Sequence, residues 1–225
     1  MNRRDLLCSA IVAPFILGAT PPDAGAAPVA RTPQPLSFDP TKLKGISEKM
    51  IVSHHDNNYA GALKNLGKIE EDLSRLKADS PGHLVSGLRE RELLFRNSVT
   101  LHEAYFGNLG GSGKISGALA TALGAKWEES FRATAGSLGG GSGWASVALN
   151  LTTGELVTNS FSGNHTQFPA SAVPLVVLDM YEHSYAIDYG AAAPRYIDAF
   201  FANLKWEEVE RRYERAATAS KAMRG

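Results

Sequence analysis

The feature that most constrains the fold of this 225-residue chain is a pair of long helical patterns in its first half. Apolar side chains recur at three-to-four-residue spacing from Ser47, a candidate N-cap, to about Ala78, and again from about Leu84 to Phe106. The turn-forming residues 79–82 (DSPG) separate the two patterns. Two long helices joined by a tight turn predict an antiparallel helical hairpin.

Strand patterns are confined to the second half of the chain. Residues 144–151 and 155–161 flank a turn and predict a β-hairpin, and residues 174–179 predict a third strand. The glycine-rich residues 107–113 are the candidate boundary between the halves. We therefore predict an α+β fold, in which an N-terminal helical hairpin domain (39–112) precedes a C-terminal α/β domain (113–225) with a small three-stranded antiparallel sheet flanked by helices. The flanking helices are expected near residues 115–123, 125–137, 193–203 and 206–221.

The first residues have the features of an export signal. Arg3 and Arg4 precede an apolar run, and residues 24–26 (AGA) offer a small-residue cleavage site. We predict a twin-arginine-type signal peptide over residues 1–26 and a periplasmic or secreted protein, with an ordinary secretory signal as the alternative. The run is too short, and too interrupted at Pro14, to span a membrane. Residues 27–38 contain several prolines and are predicted to be a flexible lead-in.

Composition argues against several classes of protein. The 23 basic and 23 acidic residues cancel, whereas a nucleic-acid binder is usually basic. The single cysteine, Cys8, lies in the predicted signal, so the mature chain is expected to contain neither a disulfide nor a thiolate metal site. No membrane association is expected after the signal is removed.

The strongest chemical signal lies in the second half. Asp179 ends the apolar run 174–178, and His183 follows four residues later. If the chain turns into a helix at Asp179, the two side chains can face one point. A carboxylate oxygen and a neutral imidazole nitrogen at one point suit a first-row transition metal ion. The alternative is that Asp179 is a helix N-cap and His183 a buried structural histidine.

Further histidines lie on the predicted hairpin. His102 is on the inward stripe of the second helix, and His54 and His55 are on the first. Three imidazoles and one carboxylate from well-separated segments would form a closed site with room for solvent and a small substrate. Such a set suits iron or manganese, with zinc as the main competitor.

Over roughly residues 35–222 the chain resembles the iron/manganese superoxide dismutase family. Asp179 and His183 fall in a segment similar to the family's D-x-W-E-H signature, although Tyr181 stands in place of the tryptophan. A lone D-x-x-x-H is a weak signal, but four matching segments in the right order are a strong one. The segments are 99–106 (VTLHEAYF), 141–144 (GSGW), 174–189 (PLVVLDMYEHSYAIDY) and 194–206 (PRYIDAFFANLKW).

The resemblance implies that His102, Asp179 and His183 are metal ligands. It leaves two candidates for the first-helix ligand, and we predict His54 over His55. Tyr59 matches the tyrosine that gates the family's substrate channel, but only five residues separate it from His54, a shorter spacing than in the family. Either the helix has lost a local bulge or the ligand role has moved.

The resemblance also implies a residue that hydrogen-bonds the solvent molecule on the metal. His165, in the segment 163–166 (GNHT), matches that position, and Gln167 is the alternative. The other position at which the family places a glutamine is Ser98, whose side chain is too short to replace it. Tyr59 and His165 are therefore the predicted catalytic residues, which would set the protonation of the solvent and deliver protons.

Other departures bear on the site's lining and on assembly. Tyr181 and Phe106 stand where tryptophan is common, and both keep the lining apolar. Glu182 matches a residue that reaches a ligand histidine of a neighbouring subunit, whereas Ala186 replaces a tyrosine that often crosses the dimer interface. The resemblance thus implies a homodimer.

The implied activity is disproportionation of superoxide, the small-molecule substrate, to dioxygen and hydrogen peroxide at one iron or manganese ion per subunit. The sequence does not choose between the two metals. One alternative is a catalytically degenerate metal-binding or structural relative with the same fold, kept open by the short spacing in the first helix, by Ser98 and by Ala186. A metal-dependent hydrolase would need a free carboxylate as general base, for which Glu103 and Glu182 are the candidates.

Overall fold

The computed structural model describes residues 31–162 and 165–225. Its first half is a helical hairpin. The first arm comprises α1 (Glu48–Ser53), a π-helical turn (His54–Tyr59) and α2 (Ala60–Ser74), and the second arm is α3 (Gly82–Gly107). Ser47 caps α1, because its hydroxyl oxygen accepts a hydrogen bond from the Met50 backbone N–H at 3.1 Å.

The second half contains one antiparallel sheet. Its strands are β1 (Gly143–Asn150), β2 (Leu156–Ser162) and β3 (Ala172–Asp179), in the spatial order β2-β1-β3. The central strand β1 is buried over all but its last residue. In its register with β3, Trp144 lies opposite Asp179, so these two side chains start from the same end of the sheet.

Helices complete the second half and confirm the predicted α+β fold class. They are α4 (Ala118–Leu123), α5 (Trp127–Gly136), α6 (Ala186–Tyr189), α7 (Ala193–Ala202) and α8 (Trp206–Arg224), and short 3-10 turns occur at Pro40–Lys42, His165–Gln167 and Glu182–Ser184. None of the helices in the described residues is both long and apolar enough to cross a membrane.

Polar side chains from the end of the hairpin and from α8 cover the free edge of β3. The buried side chain of Asn108, which follows α3, donates to the Leu175 carbonyl at 3.2 Å and accepts from the Val177 N–H at 2.8 Å. Arg212 of α8 donates to the carbonyls of Ala104 and Leu175. These bonds satisfy edge groups that would otherwise be buried without partners, and they join β3 to the helix that carries His102.

Four details differ from the sequence-based expectations. The first arm ends at Ser74 rather than near Ala78, and its π turn was not predicted. The chain after Asp179 forms a 3-10 turn rather than an α-helix. The short helix α6 was also not predicted. The proposed signal peptide, residues 1–26, lies outside the described residues.

Candidate metal centre

Four predicted side chains meet between the hairpin and the sheet. The potential ligand atoms of His54, His102, Asp179 and His183 all lie within 4.8 Å of one another. The Nε2 atoms of the three histidines are 3.1, 3.7 and 3.3 Å, in that order, from Oδ2 of Asp179. Asp179 and His54 are fully buried. The three imidazoles therefore surround one buried carboxylate oxygen, and only His183 is partly exposed.

Bonds close in sequence hold Asp179 in place. Its Oδ1 accepts from the Tyr181 backbone N–H at 2.9 Å, which leaves Oδ2 to face the imidazoles. Its carbonyl accepts from the Ser184 hydroxyl at 2.8 Å. The turn formed by these bonds brings His183 back toward Asp179, so a 3-10 turn produces the convergence that we expected from an α-helix.

His102 is fixed by its own helix. Its ring is buried, and its Nδ1–H donates to the Ser98 carbonyl at 2.7 Å. Because the proton is held on Nδ1, the lone pair of Nε2 faces the cluster. Ser98 therefore supports the site through its backbone, although its side chain cannot replace a glutamine.

His54 occupies the π turn and packs edge-on against His102 and His183, with ring centroids 5.1 and 4.8 Å apart. His55 points elsewhere, and its Nε2–H donates to the Gln34 carbonyl at 2.8 Å. The structure therefore brings His54 rather than His55 into the cluster. The residues from His54 to Tyr59 form the π turn, which is a local bulge in the helix, and His54 reaches the cluster with this short spacing to Tyr59.

The charges of the cluster suit a cation. Burial lowers the pKa of His102 to about 3, and the neighbouring His54 adds to this effect. Burial also lowers the pKa of His54. Burial alone would raise the pKa of Asp179, but the close approach of His183 and His54 outweighs burial and holds that pKa far below its usual range. The neutral imidazoles of His54 and His102 thus lie beside an ionised carboxylate.

The donor atoms fit a transition metal ion. Among the described residues, Nε2 of His54 and Nε2 of His102 are buried and have no hydrogen-bond partner, which is costly unless a Lewis acid occupies the space that they face. Three imidazole nitrogens and one carboxylate oxygen form a donor set that iron and manganese accept.

Comparisons with known proteins agree with this donor set. The family model described as "Iron/manganese superoxide dismutases, C-terminal domain" matches residues 112–212. The iron superoxide dismutase of Cupriavidus metallidurans is 43% identical over 190 residues, which cover 81% of this chain and 96% of that protein. That of Aquifex aeolicus is 34% identical over 82% of this chain and 92% of its own length. A manganese superoxide dismutase of Haloferax volcanii is 28% identical over 82% and 94% of the two chains.

The chain belongs to the iron/manganese superoxide dismutase family. It is accordingly a metal-dependent oxidoreductase, and its cofactor is iron or manganese. The cluster of His54, His102, Asp179 and His183 is the group in the described residues that can hold the ion.

His165, one of the two predicted catalytic residues, lies beside the cluster. Its ring centroid is 6.4 Å from that of His102, and its Nδ1 accepts a hydrogen bond from Trp144 Nε1 at 2.8 Å. Burial lowers the pKa of His165, so the ring is neutral and carries its proton on Nε2. The alternative residue, Gln167, is exposed.

Tyr59, the other predicted catalytic residue, is buried beside the cluster, and its ring lies 6.2 Å from that of His102. Its hydroxyl donates to Oε1 of Glu103 at 2.8 Å and accepts from the Gln34 backbone N–H at 3.0 Å. Burial raises the pKa of Tyr59 to about 12, and Glu103 contributes to the rise. The pairing of Glu103 with Tyr59 was not predicted from the sequence, in which Glu103 was considered only as a hydrolytic base. Glu103 nevertheless directly follows His102.

Aromatic side chains line the cluster. Phe106 lies 5.1 Å from the ring of His54, and Trp144 meets His102 edge-on at 5.1 Å. Tyr181, which replaces the signature tryptophan, stacks between His165 and His183, with centroids 5.4 Å from each. The lining admits small molecules only, and it lowers the local dielectric constant.

Proposed function

We propose that this protein disproportionates superoxide to dioxygen and hydrogen peroxide at one iron or manganese ion held by His54, His102, Asp179 and His183. The observation that carries the proposal is the convergence of three Nε2 atoms, two of them buried, on the buried Oδ2 of Asp179. The 43% identity to an iron superoxide dismutase over nearly all of that protein's length supports the same reaction.

When bound, the ion supplies one-electron chemistry by alternating between its +3 and +2 states. The protein provides a single negative charge at Asp179, which stabilises the +3 state. It also provides three neutral imidazoles, which stabilise that state less. The proton on Nδ1 of His102 is fixed by Ser98, so this imidazole binds through Nε2 without rearrangement.

Two superoxide ions and two protons give one dioxygen and one hydrogen peroxide, so the site must supply protons. We propose that the Nε2–H group of His165 is a hydrogen-bond donor to the site. Trp144 keeps the proton on Nε2, because its own N–H occupies Nδ1. Tyr59 is the second proposed group, and its pKa of about 12 keeps it protonated at neutral pH. Phe106, Trp144 and Tyr181 exclude larger molecules from both groups.

Iron is the metal that we expect, because the relatives at 43% and 34% identity are named as iron enzymes. Relatives named as manganese enzymes are 28–29% identical, so manganese is the second candidate. Metal analysis of protein purified from its native cells, together with activity after reloading with each metal, distinguishes them.

We further propose export by the twin-arginine route to the periplasm or medium, and a homodimer. Arg3 and Arg4 before an apolar run support export. Glu182 and His183 line a surface cavity of about 430 Å³, where a neighbouring subunit would contact the ligand histidine. Fusion of residues 1–38 to a reporter, with Arg3→Lys and Arg4→Lys as the control, tests export, and light scattering tests the dimer.

The decisive experiment measures metal content and superoxide removal of the mature protein. A protein that contains the metal but does not remove superoxide would favour the alternative of a catalytically degenerate relative. His165→Ala is expected to retain the metal but to reduce turnover roughly ten- to a hundredfold and to shift the reduction potential, because the ion loses an outer hydrogen-bond partner. Unchanged turnover and potential at full metal occupancy would remove His165 from the mechanism.

A further inference from the structure

The segment that precedes the first helix, here called the strap (residues 31–38), contacts the π turn through one residue. The Gln34 backbone N–H donates to the Tyr59 hydroxyl at 3.0 Å, and the Gln34 carbonyl accepts from Nε2 of His55 at 2.8 Å. His55 directly follows His54 in the π turn, and Tyr59 is the last residue of that turn. Both backbone groups of one strap residue are therefore bound to the turn that carries the ligand, one next to His54 and one at the far end of the turn.

The Tyr59 hydroxyl extends the connection to the second arm. It donates to Glu103, whose neighbour in the chain is His102. One phenol group therefore joins the strap, the turn that carries His54 and the helix that carries His102. The hydroxyl group donates one hydrogen bond and accepts another in this arrangement.

His54 has more need of such support than His102 or Asp179. His102 and Asp179 are oriented by hydrogen bonds within their own segments. By contrast, Nδ1 of His54 is buried and has no hydrogen-bond partner among the described residues. Its ring is oriented only by packing and by the path of the π turn, a backbone form that is rare outside functional sites.

Gln34 is exposed, so hydrogen bonds hold it more than packing does, whereas Leu36 of the strap packs against the core. Cavities of about 390 and 350 Å³ lie beside it, and Gln34 and Glu103 line both of them. The strap's ends are anchored separately, because Arg31 pairs with Glu70 and Phe38 packs directly against Gly110. Loss of a bond to Gln34 would therefore free the middle of the strap and leave its ends in place.

We propose that the Gln34 backbone and the Tyr59–Glu103 pair are positioning groups for His54, so that metal affinity depends on the strap. The inference rests on the proposed function, in which His54 is a ligand. It predicts that these contacts change metal retention more than they change the stability of the metal-free fold, because they act on one ligand rather than on the core.

The test compares variants that break the contacts with variants that keep them. Tyr59→Phe removes the hydroxyl, Gln34→Pro removes the backbone N–H, and Glu103→Ala removes the acceptor. Gln34→Ala keeps both backbone groups, and Glu103→Gln keeps an acceptor oxygen. Each full-length protein is loaded with iron and with manganese. Metal affinity is then measured by chelator competition, and thermal unfolding is followed with and without metal.

The breaking variants are expected to bind metal roughly tenfold more weakly, and the matched variants are expected to behave like the parent. Glu103 is exposed, so Glu103→Ala is expected to fold normally. This variant therefore still tests the inference if Tyr59→Phe or Gln34→Pro fails to fold. Equal affinity across all variants would overturn the inference, and so would a loss of stability that is the same with and without metal. A parent that binds no metal would remove the proposed function itself.

Discussion

The site has two sides that are held in different ways. On the strand side, Asp179 and His183 belong to one short segment, and hydrogen bonds to Tyr181 and Ser184 fix its shape. On the helix side, His54 sits in a π turn, and its neighbours are bound by Gln34, which is far away in the sequence. The strand side is organised locally, whereas the helix side depends on contacts that exist only in the complete fold.

The two sides meet different requirements of a redox metal site, namely a fixed negative charge and a neutral ligand of adjustable position. The strand side supplies the only charge among the four ligands, on a rigid strand end that is continuous with the buried sheet. The helix side supplies two neutral ligands, and the rest of the chain can adjust the position of one of them, His54. Changes on the strand side should therefore affect whether metal binds at all, and changes on the helix side should affect how tightly it binds.

The largest expected effect follows from removing the charge. Asp179→Asn leaves three neutral imidazoles around an uncharged amide, so we expect metal content to fall to less than about one tenth and activity to fall at least about a hundredfold. Elemental analysis and a superoxide assay check this. Asp198→Asn, at an exposed carboxylate that pairs with Arg132, is the control and should change neither quantity. Normal metal content in Asp179→Asn would mean that the strand side does not decide binding.

The second prediction concerns acid and the metal-free protein. The pKa of His102 in the fold is about 3, and that of His54 is also lowered, whereas an exposed histidine titrates near 6.5. Below about pH 6.5 the unfolded chain therefore gains protons that the fold does not accept. The free energy of unfolding should fall by up to about 1.4 kcal/mol per pH unit for each such histidine, until the pH reaches the folded pKa.

Thermal unfolding of the metal-free protein between pH 7 and pH 4.5 tests the second prediction. A His102→Gln variant should show a shallower decline, because one of the two groups is gone. A melting temperature that is constant over this range would show that the imidazoles accept protons within the fold, and that the cluster is more open than its burial indicates.

The two sides also differ in how far the sequence predicted them. Asp179 and His183 were identifiable because a strand pattern, a carboxylate and an imidazole lie within a few residues. The fold class followed in the same way from helical and strand periodicity. The π turn left no periodic signal, since it inserts one residue into a pattern that otherwise continues. The bonds of Gln34 to His55 and Tyr59 could not be predicted, because they join segments that no local pattern relates.

The third prediction tests whether the strand side depends on its link to the hairpin. Asn108→Ala removes two buried hydrogen bonds to β3 and leaves the Val177 N–H and the Leu175 carbonyl with fewer partners. We expect a loss of about 2 kcal/mol of stability. Chemical denaturation measures it. Asn159→Ala, whose side chain donates to the Val157 carbonyl within its own strand near the surface, should cost much less. Equal effects would show that the edge of β3 does not need Asn108.

The smallest expected effect concerns the hydrogen bond that joins the sheet to His165. Trp144→Phe keeps an aromatic ring against His102 but removes the N–H that Nδ1 of His165 accepts. The proton of His165 is then free to move to Nδ1, and only part of the protein presents the Nε2–H donor. We expect turnover to fall about threefold to tenfold, which corresponds to the loss of one hydrogen bond, at unchanged metal content. Nitrogen NMR of the metal-free protein should show mixed tautomers at His165. A single tautomer with unchanged turnover would show that a group other than Trp144 fixes the proton, and the strand side would then contribute to metal binding alone.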